Sequence, residues 1–235
     1  MPALIATLKS DTADPDVKEA CGHALWNIGS AAFESLFDLV RAKSARADAR
    51  RIAFRSIHQM DAKEKSKLYP IVLEAISDAD AGVRREAIWL ISSLGINAPA
   101  TVDVLSKRLK IAKGEEIVWL ANALDSTDPD NPLAVRTLMK YIEDEADSTL
   151  KSNAIHVLSQ WGVRGREAAG LMVRLLSSSE VSVRLAAVGA LSGFEDNSER
   201  VISALKLVSA NDPDKNVRGE ASKALKRLAK VRKDR

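Results

Sequence analysis

One short string recurs along the chain. Val83-Arg84-Arg85-Glu86-Ala87, Val183-Arg184-Leu185-Ala186-Ala187 and Val217-Arg218-Gly219-Glu220-Ala221 each set an apolar anchor, then arginine, then alanine four residues after the anchor. Ile91, Leu191 and Leu225 follow at anchor plus eight. Weaker copies start at Val17, Ala49, Glu116 and Leu150. The seven anchors stand 32 to 34 residues apart over the whole chain. A period of that length restricts the fold to stacked supersecondary units, none of which buries its apolar face alone.

Each repeat reads as two helices, A then B. In helix B the apolar positions are the anchor, plus four, plus seven, plus eight and plus eleven, which form one stripe of a 3.6-residue helix. Asp14, Asp80, Asp147, Glu180 and Asp214 stand three residues before their anchors, where a carboxylate can cap free N–H groups. Pro15 fits a first helical turn. Gly29, Gly95 and Gly162 fall at anchor plus twelve, where a left-handed C-terminal residue is wanted. Helix A is read in Lys67–Ile76, Val102–Leu109 and Ala168–Leu176, with Pro70 starting or kinking the first of these. Asp125 to Pro132 is the expected longer loop. The composition is 46% hydrophobic with only 4% aromatic, a mixture rich in Ala and Leu that favours helices. No strand is expected.

The string Asp-x-x-Val-Arg-x-x-Ala-x-x-x-Leu resembles HEAT repeats, above all the short bacterial kind also found in phycobilisome-lyase-like proteins. The resemblance implies an all-α fold: a right-handed α-solenoid of about seven two-helix repeats in a single domain, 1–235. The repeats fall at about 1–29, 30–61, 62–95, 96–128, 129–162, 163–195 and 196–235. It also implies that the basic residue after the anchor (Lys18, Arg50, Arg84, Lys151, Arg184, Arg218) bonds to a turn aspartate of a neighbouring helix pair, forming a structural ladder. The fourth repeat departs from the pattern, with Ile117 at that position and no aspartate three residues before its anchor. In such arrays the B helices line the concave side, which is the default binding surface.

On a helical wheel the side of helix B opposite the stripe is plus two, five, six and nine. Those positions give a candidate partner-binding groove: His23, Trp26, Arg51, Phe54, Arg55, His58, Arg85, Ile88, Trp89, Asn122, Asp125 and His156. Aromatic residues and arginine are the types enriched at binding hot spots. The concentration is greatest between residues 23 and 92. Trp119 and Trp161 fall on or near the core stripe.

These features favour a protein–protein scaffold or adaptor that holds a protein or peptide partner in the groove. Arg51, Arg55 and Arg85 would meet acidic groups on it. The alternative is nucleic-acid binding through two basic segments, 41–55 and 215–235. The acidic stretch 125–147 would interrupt a continuous backbone track, and the net charge of +3 names no partner. An accessory lyase or base-repair enzyme on the same scaffold is a third, weaker reading. No catalytic residue, metal site or cofactor is expected. The three histidines stand in repeats one, two and five, and no His-Glu pair of the lysine-modifying iron hydroxylase type occurs. Cys21, the single cysteine, reads as a buried thiol. With no basic, apolar leader and no membrane span in view, the expected location is the cytoplasm.

Overall fold

The computed structural model describes residues 1–60, 66–94 and 98–233. Gly95, Asp234 and Arg235 lie outside the described residues. The helices are α1 (Pro2–Lys9), α2 (Pro15–Ile28), α3 (Phe33–Arg41), α4 (Ala47–His58), α5 (Tyr69–Ala75), α6 (Ala81–Leu94) and α7 (Pro99–Leu109). They continue as α8 (Glu115–Thr127), α9 (Pro132–Asp144), α10 (Ser148–Gln160), α11 (Ala169–Leu175), α12 (Val181–Gly193), α13 (Glu199–Asn211) and α14 (Lys215–Lys233). Odd-numbered helices are the A helices and even-numbered ones the B helices. The fold is all-α, and no strand occurs among the described residues.

The chain forms two compact units. The first comprises Met1–Ala112 with Ser126–Asp128, and the second Lys113–Asp125 with Pro129–Arg235. The division passes through the fourth helix pair, the one whose sequence departs from the repeat. Its anchor is the buried Glu116, where the well-formed repeats carry Val or Ala.

Within each unit the pattern is the same. A and B helices pair as hairpins, α1 on α2, α3 on α4 and α5 on α6 in the first, α9 on α10, α11 on α12 and α13 on α14 in the second. Successive B helices also pack on each other: α2 on α4, α4 on α6, α10 on α12 and α12 on α14. The plus-four positions Cys21, Ala53, Ala87, Ala154, Ala187 and Ala221 are all buried. So are the plus-eight positions Leu25, Ile57, Ile91, Leu158 and Leu191.

Helix termini follow the sequence signals with one exception. Asp14 accepts from Asp16 N at 2.8 Å, Asp80 from Val83 N at 2.8 Å, Asp147 from Thr149 N at 2.8 Å and Asp214 from Asn216 N at 2.7 Å. Glu180 makes no capping bond; its longer side chain turns to Ser179 Oγ. Gly29 and Gly162 adopt φ of +70° and +58°, the left-handed conformation that ends these helices without a Cβ clash. Pro70 opens α5 in its first turn. The longer loop expected at Asp125–Pro132 shrinks to 128–131. Helix α8 runs on through Asp125, and Asn131 caps α9 by accepting from Leu133 N at 3.1 Å.

Candidate functional site

Among the described residues the ladder of basic residues shows its predicted bond to an aspartate at Lys18, Arg50 and Arg184. Lys18 Nζ donates to Asp48 at 2.8 Å. Arg50 bonds both oxygens of Asp78, at 2.7 and 3.2 Å. Arg184 does the same to Asp212, at 2.8 and 3.0 Å. The Arg184–Asp212 rung is buried on both sides, and hydrogen bonding from Arg184 holds the Asp212 carboxyl below its ordinary pKa. Burial opposes ionisation of Asp48, but bonds from Lys18 and Arg46 prevail and its pKa is lowered too. Arg84 reaches back to its own turn, donating to the carbonyls of Asp78 and Ala79. Lys151 and Arg218 depart from the expectation: neither makes an ion pair among the described residues. The turn before α12 carries Ser177, Ser178 and Ser179 where the turns of the Arg50 and Arg184 rungs carry Asp78 and Asp212.

The predicted groove residues divide by position on helix B. Plus five is buried in every repeat but the last, at Gly22, Phe54, Ile88, Ala121, Ile155 and Val188. The reason lies between B helices. A Cβ on Gly22 would stand 2.4 Å from Ile52 Cγ2, so glycine is what lets α2 approach α4. Ser56 Oγ completes the contact by donating to Gly22 O at 3.0 Å. Phe54 and Ile88 therefore correct the sequence expectation, since both side chains are core. Phe54 instead borders a cleft of about 490 Å³ at the A–B turns, beside Val40, Arg50, Ile71 and Asp78. Asp125 is also buried. It pairs with Arg164 at 3.0 Å, and burial pushes its carboxyl up to about 6 against the pull of that arginine.

What remains on the B-helix face of the first unit is compact. Trp26 and Trp89 are 36% and 46% exposed, the only aromatic side chains among the exposed large hydrophobic ones described. Trp26 Nε1 donates to Gln59 O at 3.1 Å, and its ring meets His23 with centroids 5.8 Å apart. The Arg85 guanidinium lies 5.5 Å over the Trp89 ring, a cation–π contact. Between the two tryptophans runs a chain of ion pairs. Arg51 meets Glu19 at 2.8 Å, Arg55 meets Glu19 at 3.2 Å and Glu86 at 2.9 Å, and Arg85 meets Glu86 at 3.5 Å. The three predicted arginines are thus held in fixed geometry by two glutamates that the wheel did not mark as partners. Glu86 is 1% exposed. Beside this network Glu19, Gly22, His23 and Arg55 line a crevice of about 20 Å³, room for a water and no more. His58 is half-buried on the same helix as Arg55.

In the second unit Asn122 accepts from Trp161 Nε1 at 3.4 Å, and Trp161 is buried. Trp119 is half-buried. His156 is exposed and meets Gln160 at 3.2 Å. Among the described residues no group of His, Cys, Asp and Glu is clustered as a metal site. No helix described is long and apolar enough to cross a membrane.

In the basic segment 41–55, every cation but Arg41 is ion-paired among the described residues. Lys43 pairs with Glu74, Arg46 with Asp11 and Asp48, Arg50 with Asp78, and Arg51 and Arg55 as above. Sequence order could not show this, because every acid but Asp48 stands about a repeat away.

Comparison with known proteins identifies the architecture. Residues 135–226 match the family model of HEAT repeats. No curated protein sequence matches the chain significantly. Among solved structures, Escherichia coli YibA is similar at 20% identity and a TM-score of 0.65, covering 96% of this chain and 81% of that one. The archaeal HEAT-like repeats protein of Thermococcus onnurineus is 14% identical with a TM-score of 0.58, covering 98% and 97%. The CpcE–CpcF complex of phycocyanin lyase from Nostoc is 17% identical with a TM-score of 0.50, covering 97% and 94%. At such identities the likeness is one of fold. Repeat period, ladder and the family match over residues 135–226 agree, and the fold is that of a HEAT-like helical repeat protein.

Proposed function

We propose that the chain is a non-catalytic adaptor that binds a protein or peptide partner on the B-helix face of its first unit. The observation that carries this reading is the pair of solvent-exposed tryptophans, Trp26 and Trp89, set on either side of an ordered arginine–glutamate network. A solvated helix face has no use for two large aromatic rings, and tryptophan beside arginine is the composition of binding hot spots. The network holds Arg51, Arg55 and Arg85 in place before any partner arrives, which lowers the entropic cost of binding. Arg51, Arg55 and Arg85 suit this face to charge-assisted contacts with an acidic segment of the partner.

The test compares quantitative affinity capture by the wild type with that by Trp26→Ala and Trp89→Ala, with exposed Leu207→Ala as control. A partner retained by wild type and control but lost from both tryptophan variants supports the reading. An identical set of captured proteins in all four, with unchanged circular dichroism, overturns it. The nucleic-acid reading keeps one of its two segments. Lys226, Arg227 and Lys230 of α14 make no ion pair among the described residues.

A further inference from the structure

In the first unit the B helices close on each other and the A helices do not. Helix α4 packs on α6, while α3 and α5 make no comparable contact. Between them lies the cleft of about 490 Å³ that Phe54 borders, a volume in the range of small-molecule sites. Val40 of α3, Phe54 of α4, and Ile71 and Ala75 of α5 give it apolar walls. Arg41, Lys43 and Arg50 bring cations to it, Glu74 and Asp78 carboxylates.

The bonds around the cleft decide what a ligand must bring. Both carboxylates are committed. Glu74 pairs with Lys43, and Asp78 accepts from both Nη groups of Arg50 and from Asp80 N. The donors are not all used. The exposed Arg41 guanidinium makes no ion pair or hydrogen bond among the described residues. Arg50 Nε is buried and has no hydrogen-bond partner among them. The spare Nε follows from how this rung is built. Arg184 meets Asp212 side-on, through Nε and Nη2, and turns Nη1 to the carbonyls of Ser178 and Ser179. Arg50 meets Asp78 end-on, through Nη1 and Nη2, which leaves Nε over. A donor closed off from water and given no acceptor is costly, and a ligand oxygen seated at Arg50 removes that cost.

We infer that this cleft binds a small organic acid, its apolar body between α3 and α5 and its carboxylate or other oxyanion held by Arg41 and Arg50. Paired acids and spare donors select an anion over a cation. The apolar walls select a ligand with a ring or short chain over a bare inorganic ion. The Lys43–Glu74 pair runs from the α3–α4 turn to α5, and both side chains are largely exposed. Such a pair contributes little to stability, so it yields to an entering ligand at low cost. The cleft shares no residue with the tryptophan face, and the two readings stand or fall separately.

The test titrates 8-anilinonaphthalene-1-sulfonate, an apolar ring system carrying one sulfonate, into the full chain and follows the dye's emission. Saturable binding is expected. R41E should weaken it about tenfold, as the loss of one charge-assisted bond does. Arg41 is exposed, so this variant keeps the fold, which circular dichroism checks. R50K keeps a cation beside Asp78 and removes the Nε–H, and it should weaken binding as well. N-phenyl-1-naphthylamine, the same rings without the sulfonate, should bind about tenfold more weakly or worse. W26A/W89A should bind the dye as the wild type does. Absence of saturable binding overturns the proposal, as does binding indifferent to both R41E and R50K. Loss confined to W26A/W89A also overturns it and assigns the dye to the tryptophan face. Equal affinity for the uncharged rings overturns it too, leaving only an apolar crevice.

Discussion

The two units build the same helix pairs and treat the B-helix face differently. In the first, that face carries aromatic rings and a string of arginines and glutamates at the surface, while its ladder rung at Lys18 is only partly closed, with Asp48 a third exposed. In the second, the face carries Ser152, Ser159, Gly189 and Ser192 beside exposed His156, Lys223 and Lys226, and two charged pairs are enclosed. Arg184–Asp212 is closed off from water on both sides, and Asp125 is buried beneath Arg164. The most enclosed rung described, Arg184–Asp212, thus lies in the second unit, while the first encloses Arg50–Asp78 nearly as well and leaves Lys18–Asp48 open on one side. An ion pair at the surface contributes little to stability, whereas breaking a buried one is costly.

The sharpest way to break this contrast is to remove one partner from a rung in each unit. Arg184→Ala strands a buried carboxylate and should cost about 3 kcal/mol, read by hydrogen exchange across α12–α14. Lys18→Ala should cost about 1 kcal/mol in α2–α4, because water can reach Asp48. Equal losses would erase the distinction. Asp125 makes the next largest claim, with opposite sign. Between about pH 4 and pH 6 the folded protein keeps a proton on this group that the unfolded chain has released, so the group lowers stability as pH rises through that window. Asp125→Asn should therefore be more stable than wild type by about 1–2 kcal/mol at pH 7, the difference closing near pH 4. Urea unfolding at the two pH values measures it. The smallest effects belong to the exposed rings. Trp26→Ala and Trp89→Ala should each change stability by less than about 1 kcal/mol, as thermal melts will show, and so leave binding as their principal readout.

Much of this was legible from the residues. The seven anchors fix the helix pairs, and Asp14, Asp80, Asp147 and Asp214 cap where the spacing places them. The departure at Ile117 and Glu116 marks the pair through which the two units divide. The face assignment failed at plus five because a wheel gives a helix one buried side. A B helix between two others has three, and Phe54, on α4 between α2 and α6, lies on the side the wheel omits. The glutamate network was hidden for a related reason. Glu86 sits one repeat from Arg55, a separation that becomes adjacency only when α4 packs on α6. Small residues in register, Gly22 against Ile52 and Ser56, are the signal that could have revealed this second contact side.

Trp26 has one more consequence. Of the chain's tryptophans, Trp26 and Trp89 are open to water and Trp161 is enclosed, so iodide will quench the first two and spare the third. Trp26 stands against the imidazole of His23. Its emission gives the first repeat an intrinsic optical signal, which a partner docked as proposed would change.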